Sequence, residues 1–265
     1  MLTSPTERML AQKDGSIGWM TFNNPERRNA VSLDMWEAIP VILDQMEKDP
    51  EIRIVVLKGA GDKAFVAGAD ISQFEQNRAS EDARAAYNRA VEAAYLAPLL
   101  CAKPVVAQIR GICMGGGLGL AAACDVRFCS DDAVFRMPAA RLGLGYSYTG
   151  MRRFVHVLGA ANTADIFFSA RKFGAQDALE MGFVRRIFPA ADLEREVGAY
   201  AATIGENAPL SLIAAKAAIR EVLKDPGDRD LAALQQQIDA CFASADYTEG
   251  RTAFMEKRTP DFKGR

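Results

Sequence analysis

Twice along this 265-residue chain, a short apolar run rich in β-branched residues feeds directly into a glycine-rich loop. Ile52 to Leu57 (IRIVVL) leads into KGAGDKAFVAGAD, and Val105 to Ile109 (VVAQI) leads into Gly111-Ile-Cys-Met-Gly-Gly-Gly-Leu-Gly119. Runs of this kind lack the in-out alternation of a half-exposed strand and predict strands buried inside a core.

Around them the pattern alternates strand and helix. Ile17 to Phe22 (IGWMTF) reads as a strand that ends at the turn-forming NNPERRN. Ser32 precedes the helical stretch LDMWEAIPVILDQMEKD, in which Pro40 predicts a kink or a break. Ser80 is a good N-cap for a helix reaching about Ala97, with Glu81 and Asp82 in its dipole-favoured first turn and Pro98 interrupting the pattern. Gly111 to Cys124 predicts a turn that leads into an alanine-rich helix, and Val126 to Cys129 and Ala133 to Met137 predict short strands. Beyond Pro189 the pattern is almost purely helical, with Asn207-Ala-Pro opening one helix and Asp225-Pro-Gly breaking another. Strands first and helices last predict an α/β core (1–190) followed by a helical region (191–265).

Composition narrows the function classes. With 49% hydrophobic and 25% charged residues the chain has an ordinary globular balance, and its net charge of -2 with interspersed signs disfavours a nucleic-acid or membrane surface. The first residues, MLTSPTERMLAQKDGS, lack the apolar stretch of a targeting segment, and no apolar run reaches the length of a membrane span. Five cysteines without CxxC pairing sit in apolar stretches, which suits buried thiols in a reducing, cytoplasmic setting. A single histidine, His156, leaves little for a His-rich metal site or a Ser-His-Asp triad.

The two glycine loops carry the chemistry. Small residues at 67, 68 and 69 let a ligand approach the backbone, and the GGG run opens a helix whose N-terminal N–H groups favour developing negative charge. Two such donors aimed at one oxygen would form an oxyanion hole. Each loop alone could equally be a packing or capping cluster. A dinucleotide fingerprint fits poorly, because GGGLGLAA has the wrong glycine order and sits in mid-domain.

Taken together, NNPERRNAVSLDM, KAFVAGADI, KPVVAQIRGICMGGGLGLAAACDVRF, FSARKFGAQDALEMGFVRRIFP and DYTEGRTAFMEKRTPDF resemble the crotonase (enoyl-CoA hydratase/isomerase) superfamily in order and spacing over nearly the whole chain. The resemblance implies a spiral of β-β-α turns with C-terminal helices that build homotrimers, often as dimers of trimers. It implies an acyl-CoA thioester substrate, no metal, and no cofactor beyond the CoA moiety. The thioester carbonyl would be held by the N–H groups of Ala69 and Gly116. CoA would run past Arg28, Ala30, Ala67, Asp70 and Ile71, with Phe254 and Lys257 contributed by a neighbouring subunit. Asp70 also reads simply as a helix cap.

The two glutamates that the family's hydratases use as acid and base would fall at positions 119 and 139, which here are Gly119 and Ala139. The stretch AARLGLGYSYTGMRRF holds no Asp or Glu where isomerases of the family keep one. It holds Tyr146 and Tyr148, and Tyr146 falls where related methylmalonyl-CoA decarboxylases place an active-site tyrosine, although those enzymes carry a histidine at the position of Ala69. Both tyrosines could instead simply pack beside the acyl pocket. Glu75, Glu81 and Asp82 are other acids near the first loop, Arg141 could bind an acidic group or lie on the surface, and His156 reads as structural. Three readings follow: an enoyl-CoA hydratase/isomerase-class enzyme using non-standard groups, a carboxyacyl-CoA decarboxylase-type lyase using Tyr146, and a non-catalytic acyl-CoA binder.

Overall fold

The computed structural model describes residues 2–70 and 80–265. A hairpin opens the chain: β1 (Met9–Asp14) and β2 (Ile17–Phe22) pair antiparallel, with Gly15 at a φ of 56° in the turn between them. Then come α1 (Leu33–Lys48), β3 (Ile54–Gly59), β4 (Ala64–Val66) and α2 (Glu81–Leu100). Next are β5 (Val105–Ile109), β6 (Ile112–Met114), α3 (Gly116–Ala123), β7 (Val126–Ser130), β8 (Val134–Arg136) and α4 (Tyr148–Ser169). The order continues through β9 (Lys172–Gly174), α5 (Ala175–Glu180) and β10 (Arg186–Phe188). Four helices finish the chain: α6 (Leu193–Gly205), α7 (Pro209–Val222), α8 (Leu231–Ala243) and α9 (Ala245–Glu256).

The strands divide between two sheets. One has the order β1-β2-β3-β5-β7-β10 and is parallel apart from the opening hairpin; the other has the order β4-β6-β8-β9, with β8 and β9 antiparallel. In β3-β4-α2, β5-β6-α3 and β7-β8-α4 the chain lays one strand in each sheet and then adds a helix, so each turn stacks on the one before. This is the predicted spiral of β-β-α turns.

The apolar runs are buried on both faces. Ile54, Val56 and Val106 pack against Leu193, Val197 and Ala201 of α6, while Val55, Leu57, Val105 and Ala107 face the main core with α1 and the second sheet. Strands clamped in this way need no alternation. Among the described residues, no helix is long and apolar enough to cross a membrane.

Local signals misled at the prolines. Helix α1 runs through Pro40 without a break. An interior proline costs about 3 kcal/mol. Burial of each Leu- or Ile-sized side chain returns about 1.5–3 kcal/mol, and α1 buries Met35, Trp36, Ile39, Ile42, Leu43 and Met46 on one face. Packing therefore wins. Pro98 likewise sits inside the last turn of α2, which Ser80 caps as expected by accepting from the Ala83 N–H.

Candidate active site

Strands β4 and β6 are parallel neighbours, so the loops that follow them leave the same edge of the small sheet. Both loops turn on glycines with positive φ, Gly68 at 119° and Gly115 at 50°, where a side chain would be strained. The approach is close. A Cβ built on Gly68 would lie 4.0 Å from the Gly116 nitrogen, and one on Gly116 would lie 3.5 Å from the Ala69 nitrogen. Gly117 serves packing instead, because a Cβ there would meet the Val66 carbonyl oxygen at 2.2 Å. The glycine run thus does both jobs its sequence allowed, at different positions.

Two N–H groups are left over by this arrangement. Val31 bridges to Ala69 in parallel: the Val31 N–H donates to the Gly68 carbonyl (2.8 Å) and the Asp70 N–H donates to the Val31 carbonyl (2.9 Å). Successive peptide groups of an extended chain face opposite ways, so the Ala69 N–H points away from Val31. Gly116 is the first residue of α3, and its N–H has no carbonyl one turn back to bond to. Among the described residues, neither N–H meets a hydrogen-bond acceptor. Both sit in the wall of a cavity of about 460 Å³, a size that suits a small acyl group.

Lining the same cavity are side chains of α1, α2, α4 and the segment just before α4. Trp36, Val91 and Tyr95 line one side, and Tyr146 and Arg153 another. The space beside position 119 is filled by Tyr95 of α2. A Cβ on Gly119 would lie 2.8 Å from Tyr95 Cζ and 2.9 Å from its hydroxyl oxygen. The Tyr95 ring is braced edge-on against Trp36 (5.5 Å between centroids), and its hydroxyl makes a long 3.4 Å contact to the Gly116 carbonyl. Burial holds this phenol well above its ordinary pKa. Ala139 is buried at the start of a 3-10 turn, Ala139–Leu142, and presents only its methyl group to the cavity.

Tyr146 both packs and lines the cavity. Its ring stands edge-on to Phe167 (5.0 Å) and Phe154 (6.3 Å). Burial pushes its phenol up to about 12, against the opposing influence of Arg153, so it stays protonated at neutral pH. Tyr148, by contrast, is 73% exposed and lies outside the cavity. Arg141, His156, Glu81 and Asp82 are also exposed and do not line it. Ile71 and Glu75 lie outside the described residues.

The segment at 27–30 docks onto the first loop. The Arg28 carbonyl accepts from the Ala67 N–H (3.0 Å), the Ala30 carbonyl from the Asn24 side chain (3.0 Å), and the Asp70 carboxylate from Arg27 Nη1 (3.2 Å). Arg28, Ala30, Ala67 and Asp70 are therefore brought together beside the cavity. Phe254, 82% exposed, and Lys257, at the C-terminal end of α9, do not line the cavity of their own chain.

Three lining residues carried no warning in their immediate sequence: Tyr95, Glu92 and Arg153. The i, i+4, i+8 spacing of Tyr87, Val91 and Tyr95 does mark one stripe of α2, and Glu92 lies beside it. Glu92 is the one carboxylate lining the cavity among the described residues, and it accepts from the Thr149 hydroxyl (3.1 Å).

Comparison with known proteins shows the family. The enoyl-CoA hydratase/isomerase family pattern matches residues 12–265. The chain is 31% identical over 258 residues to the short-chain-enoyl-CoA hydratase of Clostridium acetobutylicum, covering 97% of this chain and 98% of that one. It is also 31% identical over 261 residues to the peroxisomal Delta(3,5)-Delta(2,4)-dienoyl-CoA isomerase of Arabidopsis thaliana, covering 94% and 93%. A solved enoyl-CoA hydratase/isomerase family protein from Hyphomonas neptunium superposes with a TM-score of 0.93 at 34% identity, over 99% of this chain and all of that one. Sequence, fold and the paired glycine loops converge, and the chain belongs to the enoyl-CoA hydratase/isomerase family.

Proposed function

We propose that the protein turns over acyl-CoA thioesters by holding the thioester oxygen between the N–H groups of Ala69 and Gly116 while an enolate forms. The observation that carries this reading is the pair of N–H groups, each without an acceptor among the described residues and both walling one cavity. Fixed, pre-oriented donors favour negative charge on oxygen without reorganising at the moment of reaction. CoA would pass Arg28, Ala30, Ala67 and Asp70. Phe254 and Lys257 would reach it from a neighbouring subunit in a homotrimer or a dimer of trimers.

With Gly119 and Ala139 in place of a glutamate pair, the hydration route of acid and base on two carboxylates has no residues here. Proton transfer to and from the α carbon falls instead to the groups that do line the cavity: Glu92 as an acceptor, and the neutral phenols of Tyr95 and Tyr146 as donors. One observation favours a second reading. Tyr146 is a protonated phenol at the cavity wall, and decarboxylation needs no base. The bond between the α carbon and the carboxylate breaks, CO2 leaves, its electron pair enters the enolate, and a proton then returns to the α carbon.

Three assays on the purified protein separate the readings: hydration of crotonyl-CoA, deuterium uptake from D2O at the α carbon of butyryl-CoA, and CO2 release from malonyl- and methylmalonyl-CoA. Enolate chemistry should show in the second or third assay. Hydration should be the slow arm, because positioned acid-base groups contribute about 10²–10⁴-fold. Loss of CO2 release in Tyr146→Phe supports the decarboxylase reading, and an unchanged rate removes the tyrosine from the mechanism. Tight thioester binding with no turnover in any assay would leave a non-catalytic acyl-CoA binder and contradict the proposal.

A further inference from the structure

Two arginines, Arg110 and Arg153, have an Nε that is buried without a hydrogen-bond partner among the described residues, and of the two only Arg153 lines the candidate acyl cavity. It projects from α4, is only 9% exposed, and lines the same cavity as Ala69 and Gly116. Its guanidinium carbon lies 5.1 Å from the centroid of the Tyr95 ring. Its Nε is buried without a hydrogen-bond partner, and among the described residues no side chain or carbonyl accepts from its guanidinium and no carboxylate pairs with it. Arg127 is satisfied differently: its Nη1 donates to the carbonyls of Cys124 (2.6 Å) and Ala121 (3.3 Å), and its Nε donates to the carbonyl of Phe183.

A buried guanidinium without partners is expensive, because it stays charged at any physiological pH and has given up its water. Stacking on one aromatic ring offsets part of that. The charged groups around it are few. Glu92 faces it across the cavity rim, but that carboxylate is exposed and is held by Thr149 rather than by the arginine; Tyr95 and Tyr146 are neutral phenols. A core that only had to be stable would place an apolar side chain here.

We propose that Arg153 is a specificity-determining residue that binds a carboxylate carried on the acyl group, so that the substrate is a carboxyacyl-CoA thioester rather than a simple fatty acyl one. The guanidinium fork matches a carboxylate in a paired geometry, and the apolar, aromatic surroundings of Tyr95 and Tyr146 strengthen that pairing. The carboxylate it holds is retained by the reaction. A cation paired with a departing carboxylate would stabilise the ground state and oppose loss of CO2. The bound group is therefore a handle remote from the reacting carbon. This rests on the cavity being the acyl site proposed above.

The test compares the affinity of the full-length protein for succinyl- and glutaryl-CoA with that for the neutral butyryl- and hexanoyl-CoA, by titration calorimetry, alongside thermal unfolding. The wild type should prefer at least one carboxyacyl thioester by ten-fold or more. Arg153→Met should bring that preference to about one, while its melting temperature stays level or rises, since a cation without partners is being exchanged for an apolar side chain of similar length. Arg153→Lys should keep part of the preference. Neutral thioesters that bind as well as carboxyacyl ones, or a preference that survives in Arg153→Met, would overturn the inference alone. If no CoA thioester of either kind binds, the acyl-CoA reading fails and the inference falls with it. A fall in melting temperature with the preference intact would mark Arg153 as structural.

Discussion

Gly116→Pro is expected to slow turnover of the preferred thioester about 10²–10³-fold, the loss of ~2.7–4 kcal/mol that follows removal of one oxyanion donor. Gly116 occupies the first position of α3, where proline's fixed φ is compatible with the helix and its missing N–H breaks no helical bond. The residue before it is Gly115, which has no Cβ to clash with the proline ring. One complication is local: any Cβ at 116 would come within 3.1 Å of the Trp36 ring. Gly116→Ala introduces the same Cβ but keeps the N–H, so the ratio of the two variants isolates the donor. Steady-state kinetics on both variants, with circular dichroism to check α-helix content, decides the matter. Equal rates in Gly116→Ala and Gly116→Pro would show that the N–H does no chemistry.

Gly119→Glu should destabilise the protein severely, even though it supplies the carboxylate that the resemblance to the family's hydratases implies at this position. The new side chain would start 2.8 Å from Tyr95, a ring that cannot retreat because Trp36 stands against it. Overpacking costs about 1–3 kcal/mol, and an unpaired carboxylate pressed into an aromatic pocket adds to this. At roughly 2–4 °C per kcal/mol for a chain of this size, a fall in melting temperature of about 10 °C is expected. Tyr95→Ala alone opens a cavity and should also destabilise, by about 3–5 kcal/mol if it behaves like other large aromatic truncations. The informative quantity is their coupling. In the double variant the carboxylate takes the space the phenol gave up, so the two losses should fall short of additivity by about 1–3 kcal/mol. Additive losses in thermal or urea unfolding would mean that Tyr95 and position 119 do not compete for one space.

That competition explains what could and could not be read from the chain. The glycine stretches at 67–69 and 115–116 can be singled out because each comes soon after a continuously apolar run. The short strands β4 and β6 that lie between, and that set the two loops side by side, read as loop in the sequence because three residues carry too little pattern. That positions 119 and 139 hold Gly and Ala is plain from the chain, but the expectation of a carboxylate at either place comes only from the family resemblance. What fills the space at Gly119 was not legible. Tyr95 comes from α2, more than twenty positions earlier, and it meets Gly119 only because the spiral lays α2 across α3. Arg153 was hidden for the same reason. In the sequence it is one of two adjacent arginines in α4, and only packing shows that Arg152 turns outward to pair with Asp225 while Arg153 turns into the cavity. The prolines erred in the opposite direction, because a strong local rule at Pro40 lost to the buried face of α1.

The central claim is that one thioester oxygen is held by two backbone donors, and a crystal structure of the protein with a bound, slowly reacting acyl-CoA analogue tests it most directly. The carbonyl oxygen should lie about 2.7–3.1 Å from both the Ala69 and the Gly116 nitrogens, with the acyl chain directed toward Tyr95, Tyr146 and Arg153. A thioester oxygen that contacts neither nitrogen, or an acyl chain that leaves the cavity between the two loops, would contradict it.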